Sequence, residues 1–186
     1  MSKSYDVIVV GAGVFGAWTA HHLSRSGRSV ALLDAYGPGN NRSSSGGETR
    51  VLRMNYREQE IYTRWSLASL RQWIELFNSI GRPELFQKTG VLWTPAANDP
   101  STPGTLRTME RCGVVFETLS QADWTRRFPQ IHYTSERIGV FEPESGLALA
   151  RRAVQAVVED AIRNGVDYHR EAALATNGRE IRTQSG

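Results

Sequence analysis

The chain has 186 residues, 40% of them hydrophobic and 22% charged, which is enough to bury a core and too apolar for wholesale disorder. Its net charge of +3 and pI of about 9.3 come almost wholly from arginines interspersed with acids, which excludes a basic nucleic-acid stripe and suits small anionic ligands. The single cysteine, Cys112, excludes an internal disulfide and a cysteine-rich metal site, and the first apolar run, Val7 to Val10, is too short to span a membrane. A cytoplasmic protein with no nucleic-acid and no membrane partner is the expectation.

Taken in order, Tyr5 to Val10 reads as a strand, Val14 to about Arg25 as a helix and Ser29 to Leu33 as a second strand, a βαβ opening. The turn between the first two is Gly11-Ala12-Gly13-Val14-Phe15-Gly16. Gly11 permits the tight exit from the strand, Gly13 lets the backbone approach a pyrophosphate, and Gly16 lets the helix pack closely on the strand. The helix N-terminus then offers free N–H groups and a favourable dipole to the phosphates. Asp34 closes the second strand where a carboxylate can accept ribose hydroxyls. The expected dinucleotide contacts are Val10, Gly11, Ala12, Gly13, Val14, Phe15 and Gly16, with Asp34 and Ala35.

Ala35 to Gly47 is rich in Gly, Asn and Ser and reads as a loop. It runs into Glu48-Thr49-Arg50-Val51-Leu52-Arg53, which looks like a second wall of the nucleotide site. Arg50 and Arg53 would share a face on a helix and oppose each other on an extended segment. Either way each guanidinium is a fixed fork for a carboxylate or phosphate.

Glu58 to Ile80 is the longest helical stretch, with Leu67, Leu70, Ile74 and Phe77 as its apolar face, Trp65 and Trp73 expected in core or rim packing, and Gly81 and Pro83 as its stop. Short strands are expected at Phe86–Lys88, Gly90–Thr94, Val114–Glu117 and Ile138–Phe141. A loop at Pro95–Pro103 separates them from a modest helix at Leu106–Arg111, and Ser120 caps another helix that Pro129 ends. Helical period returns at Arg151 to Arg163, capped by Asn164-Gly165, and Val166 to Tyr168 steps back to a parallel strand. A hairpin is expected around Asn177-Gly178. The four histidines form no metal spacing. The polar end at Ser185-Gly186 falls where a further sheet strand is expected, so the sequence reads as part of a longer chain.

Together, YDVIVVGAGVFGAWTAHHL, LLDAYGP, SSSGGETRVLRMNY, KTGVLW and FEPESG resemble the FAD-dependent amine oxidases of the D-amino-acid oxidase superfamily, on the side of the sarcosine, N-methyltryptophan and pipecolate oxidases. The resemblance implies an α/β fold: an FAD-type Rossmann domain, residues 1–84 and 145–186, interrupted by a mixed α+β substrate domain, residues 85–144. It implies FAD as cofactor, a secondary or N-methyl amino acid as the amine substrate oxidised to an imine, and O2 reduced to H2O2. It places Ser44, Ser45, Thr49 and Arg50 along the flavin and Arg53 on the substrate carboxylate, so that Arg50 and Arg53 form the catalytic set. Two departures stand out: Gly46-Gly47 replaces a His-Gly pair, and family members are about twice as long, with the rest of the pocket in their second half. The alternatives are an NAD-dependent Rossmann dehydrogenase and a non-catalytic FAD-binding remnant or subunit.

Overall fold

The computed structural model describes residues 3–176 and 180–183. The chain divides into two compact units, Met1–Arg50 with Leu149–Gly186, and Val51–Ala148. The breaks fall at Arg50 and Ala148, whereas sequence patterning drew them at residues 84 and 144. The long helix that follows Arg53 therefore belongs with the inserted segment.

In the first unit β1 (Val7–Val10), β2 (Val30–Leu33) and β9 (Asp167–His169) form a parallel sheet in the order β1-β2-β9. Register runs Val7 to Val30 through Val10 to Leu33, and Ala31 to Asp167 through Leu33 to His169. All four residues of the central strand β2, Val-Ala-Leu-Leu, are buried, as a parallel strand covered on both faces requires. Helix α1 (Val14–Arg25) packs on β1 and β2, and helix α5 (Ala150–Arg163) packs on α1. Their buried positions are mostly small, Ala17 and Ala20 against Ala153, Val154, Val157, Val158 and Ala161, which lets the backbones come close. His21 is buried there beside Asp160, Nδ1 to Oδ2 3.3 Å, and burial lowers its pKa against the pull of that carboxylate. Gly165, at φ +92°, ends α5 as expected. Strands β10 (Ala175–Thr176) and β11 (Ile181–Arg182) pair antiparallel; the Asn177-Gly178 turn lies outside the described residues.

The second unit holds two three-stranded sheets and three α-helices. One sheet has the order β3 (Arg50–Leu52), β8 (Gly146–Ala148), β4 (Phe86–Gln87). The other has β5 (Val91–Trp93), β7 (Gly139–Glu142), β6 (Glu117–Leu119), both pairings antiparallel. Helices α2 (Glu60–Ser79), α3 (Thr102–Arg111) and α4 (Gln121–Arg127) complete it. The core is Met54, Leu70, Met109, Val114 and Val140, with Leu67, Trp93 and Cys112 packed against it, so Cys112 behaves as a small hydrophobe.

Several expectations need correcting. The buried stripe of α2 is Thr63, Leu70, Trp73, Leu76 and Phe77; Ile74 and Trp65 are exposed. Helix α3 starts four residues earlier than expected, because a proline in the first turn forfeits only an amide that would lack a partner. Asp99 receives Ser101 N (3.0 Å) and Oγ (2.9 Å) just ahead of it. β6 starts three residues later than expected: Gly113, at φ +72°, and Val114, whose N–H donates to Met109 O (2.9 Å), are spent on closing α3. Strand β8 has no counterpart among the expected strands, because Gly-Leu-Ala is too short to show a period. Ser120 caps α4 as expected, its Oγ accepting from Asp123 N at 3.2 Å.

Candidate functional site

The glycine turn is built as its sequence requires. Gly11 has φ +101°, and its N–H donates to Leu33 O (2.7 Å), locking the turn to β2. A Cβ on Gly16 would lie 1.7 Å from Gly11 O, so this glycine is a packing necessity. A Cβ on Gly13 would meet only Ser43 Cβ, at 3.8 Å, so the space above Gly13 is open. The N–H groups of Gly13, Phe15 and Gly16 have no acceptor among the described residues. Val14 N donates weakly to Ser45 Oγ (3.3 Å), and Ser45 is buried. The side chains of Val10 and Phe15 are largely exposed.

Asp34 is committed further than a ribose ligand would need. Its Oδ2 accepts Ala12 N (2.7 Å), and its Oδ1 accepts Tyr36 N and Gly37 N (both 2.8 Å) and Asn40 Nδ2 (3.3 Å). The carboxylate therefore ties the glycine turn to the loop after Ala35, with acceptor capacity left on Oδ2. Tyr168 of β9 has a buried Oη with no partner, and its pKa is raised by burial and then by the charge of Asp34. Arg151, from the start of α5, holds the loop from the other end: Nη2 donates to Gly46 O (2.6 Å) and Asn41 Oδ1 (2.7 Å). A Cβ on Gly46 would lie 2.3 Å from Asn40 O, so the departure from a His-Gly pair at 46–47 coincides with a tight turn of this loop. Arg50 is exposed and donates to Ser44 O and to Thr49 O (2.9 Å), drawing together three of the expected flavin-side residues. The sequence carried no sign of Arg151, which joins the loop, or of Tyr168, which lies near Gly37, each more than a hundred residues further along the chain.

Arg53 lies in the other unit. It is half-buried, its Nη1 donates to Asn55 O, and its guanidinium sits 4.5 Å from the Tyr56 ring centre and 4.7 Å from that of Trp93. Both rings hold the fork by cation–π contact. Behind them is Glu142 of β7, 1% exposed, which sequence reading overlooked. Its Oε1 accepts Trp93 Nε1 (2.7 Å) and Asn55 N (3.1 Å), and its Oε2 accepts Met54 N (2.7 Å) and Ser145 Oγ (2.6 Å). One buried carboxylate thus fixes the backbone beside Arg53 and the indole that Arg53 packs on. The guanidinium opens on a cavity of about 710 Å³, lined by Arg53, Tyr56, Trp93, Tyr133 and Arg137 among others. No cluster of side chains able to hold a metal, and no helix long and apolar enough to cross a membrane, occurs among the described residues.

Residues 6–186 match the family model for the FAD dependent oxidoreductases, DAO. The chain is 33% identical to the monomeric sarcosine oxidase of Streptomyces avermitilis over 174 residues, 94% of this chain and 45% of that protein. It is 32% identical to the peroxisomal sarcosine oxidase of Mus musculus, covering 82% of this chain and 39% of that protein. Its fold superposes on the open form of NikD, "an unusual amino acid oxidase essential for nikkomycin biosynthesis", with a TM-score of 0.79 and 27% identity, over 100% of this chain and 49% of that one. The chain therefore belongs to the DAO family of FAD-dependent oxidoreductases. This decides against the NAD-dependent dehydrogenase alternative. The chain spans less than half the length of the relatives it matches.

Proposed function

We propose that this chain forms the FAD-binding and carboxylate-binding part of an oxidase acting on the C–N bond of a secondary or N-methyl amino acid. The observation that carries it is Arg53: a guanidinium held between two aromatic rings, lacking an acidic partner among the described residues, at the wall of a cavity, in a chain of an FAD oxidoreductase family. Such a fork binds a carboxylate through paired charge-assisted hydrogen bonds.

The residues fit the cofactor. The unpartnered amides of Gly13, Phe15 and Gly16 lie at a helix N-terminus with open space above Gly13, the arrangement that receives a pyrophosphate, and the free acceptor capacity of Asp34 Oδ2 suits a ribose hydroxyl. Ser44, Ser45, Thr49 and Arg50 form the flavin-side wall, and Val10, Ala12, Val14 and Ala35 its nearer frame. Bound FAD would accept two electrons from the substrate and pass them to O2. Arg53 orients the substrate by its carboxylate, and the aromatic walls of Tyr56 and Trp93 keep the guanidinium from swinging away. The substrate carbon beside nitrogen gives up a hydrogen with its electron pair, the nitrogen loses a proton, and an imine results. O2 takes the electron pair and two protons to give H2O2. The domain roles follow: the glycine-turn unit holds the cofactor and the Val51–Ala148 unit contributes to the substrate pocket.

Anaerobic mixing of the flavin-loaded protein with sarcosine, N-methyl-L-tryptophan and pipecolate is expected to bleach the flavin with at least one of them, and air to restore the colour with release of peroxide. Arg53→Ala is expected to raise KM for that substrate about 10- to 100-fold, the loss of a charge-assisted pair, while flavin content holds. A protein that takes up no flavin, or an Arg53 variant with unaltered KM, would overturn the proposal.

A further inference from the structure

The second unit pairs half of its ten arginines with acids. Arg64 and Arg111 bind Glu60, Arg82 binds Glu84, Arg126 binds Asp123 and Arg127 binds Glu117, all within 3.5 Å. Five arginines of this unit have no ion pair among the described residues, and two of these, Arg71 and Arg107, are exposed helix positions where water satisfies the charge. The other three, Arg53, Arg57 and Arg137, line the cavity of about 710 Å³. Its wall carries one acid, Asp99, whose oxygens accept Ser101 N, Ser101 Oγ and Thr102 Oγ1, and whose pKa those bonds and then Arg57 hold below the usual range. Among the lining residues three arginines against one ionised aspartate leave two positive charges in excess, and the Glu142 carboxylate behind Trp93 is committed to four hydrogen bonds.

Arg57 is exposed, so Arg53 and Arg137 are the half-buried cations. They are anchored on successive residues at the end of β5, Trp93 and Thr94. Arg53 packs on Trp93, whereas Arg137 donates from Nη1 to Thr94 O (2.7 Å), stacks 4.2 Å from the Tyr133 ring centre and bridges Ala96. Arg137 Nε is buried without a hydrogen-bond partner, so this guanidinium is partly desolvated, and an anion paired with its remaining N–H groups would offset the cost of burying its charge. Apolar side chains, Leu92, Leu106 and Val140, complete the wall.

We propose that this cavity takes an amino acid bearing a second anionic group, its α-carboxylate on Arg53 and its distal carboxylate on Arg137, with a short aliphatic link along the apolar wall. The assignment rests on the carboxylate-binding reading of Arg53 and adds Arg137 as the residue that sets specificity. In calorimetric titrations of the flavin-loaded protein, glutarate is expected to bind about tenfold more tightly than butyrate, one added charge-assisted contact. Arg137→Met is expected to bring that ratio to about one, and Arg137→Lys to keep most of it. In flavin bleaching, N-methyl-glutamate is expected to exceed N-methyl-alanine in kcat/KM by a similar factor. Equal affinity for glutarate and butyrate in the unaltered protein overturns the two-anion assignment, as does a ratio that survives Arg137→Met. Tight glutarate binding without bleaching by any amine overturns the oxidase reading and leaves the two-anion site standing. Bleaching by N-methyl-alanine alone does the reverse.

Discussion

In the glycine turn the proposed binding groups are backbone amides, those of Gly13, Phe15 and Gly16, and side chains matter there mainly by being absent. Around Arg53 the reverse holds: the fork is a side chain, and Tyr56, Trp93, Arg137 and Glu142, drawn from well-separated stretches, give it its setting. A backbone site needs a local conformation, which a run of six residues can write into the sequence. A side-chain site needs strands brought together, and no local run encodes that. The two should therefore fail differently when altered.

The largest effect is expected at Gly16. A Cβ there meets a backbone oxygen at 1.7 Å, which no rotamer change relieves, so Gly16→Ala should cost about 3 kcal/mol or more. At Gly13, with φ −75° and no contact closer than 3.8 Å, alanine should fold with a cost below about 1 kcal/mol, yet place a methyl where the pyrophosphate is proposed to lie. Thermal unfolding of the two variants, together with flavin affinity, separates these roles. Equal loss of stability in both would mean that the open space over Gly13 is not a ligand's.

That contrast also explains what the sequence revealed. The βαβ unit, the glycine turn and Asp34 lie within thirty residues and obey local rules, so strand, helix and acid were legible together. Arg53 was legible only through its motif. Glu142 was not, because its partners Met54, Asn55 and Trp93 lie 49 to 88 residues away and nothing in Phe-Glu-Pro-Glu tells which glutamate turns inward. Ile74 was assigned to the apolar face and Leu76 was not, because period alone cannot choose between neighbouring apolar positions on a helix, whereas Trp73 is buried as expected.

A middle-sized effect is expected at Glu142. Glutamine keeps one acceptor oxygen and presents an NH2 group where two donors converge, either Trp93 Nε1 with Asn55 N or Met54 N with Ser145 Oγ. Glu142→Gln should lower stability by about 2 kcal/mol, read as a reduced urea midpoint at unchanged slope. Because the same carboxylate sets the frame of Arg53, KM for the substrate should rise as well. A variant that keeps the urea midpoint would show that the side-chain site does not depend on this carboxylate.

The smallest effect tests whether the backbone-built unit relies on side-chain charge at all. Ahead of β1, Lys3 Nζ donates to Asp167 Oδ2 (2.7 Å), Tyr5 Oη donates to the same oxygen, and His169 Nε2 lies 3.2 Å from Oδ1. Since β2 lies between β1 and β9, these bonds carry the leading segment across the central strand. The Lys3 bond, then the Tyr5 bond, lower the Asp167 pKa from 3.8 to about 2. A carboxyl whose pKa is depressed by folding contributes stability that is present above its unfolded value and is lost as pH falls through its folded value. The contribution should thus be constant near neutrality and disappear between about 3.8 and 2. The Asp167 side chain is 34% exposed and that of Lys3 67%, so solvent screening holds it to about 1 kcal/mol or less. Asp167→Asn should therefore lower stability by that amount at pH 7, and the gap from the unaltered protein should close on acidification. A gap that stays open at pH 2 would assign the effect to lost packing at the sheet edge, and a gap of zero at pH 7 would show that the Asp167 charge contributes nothing to holding the segment ahead of β1.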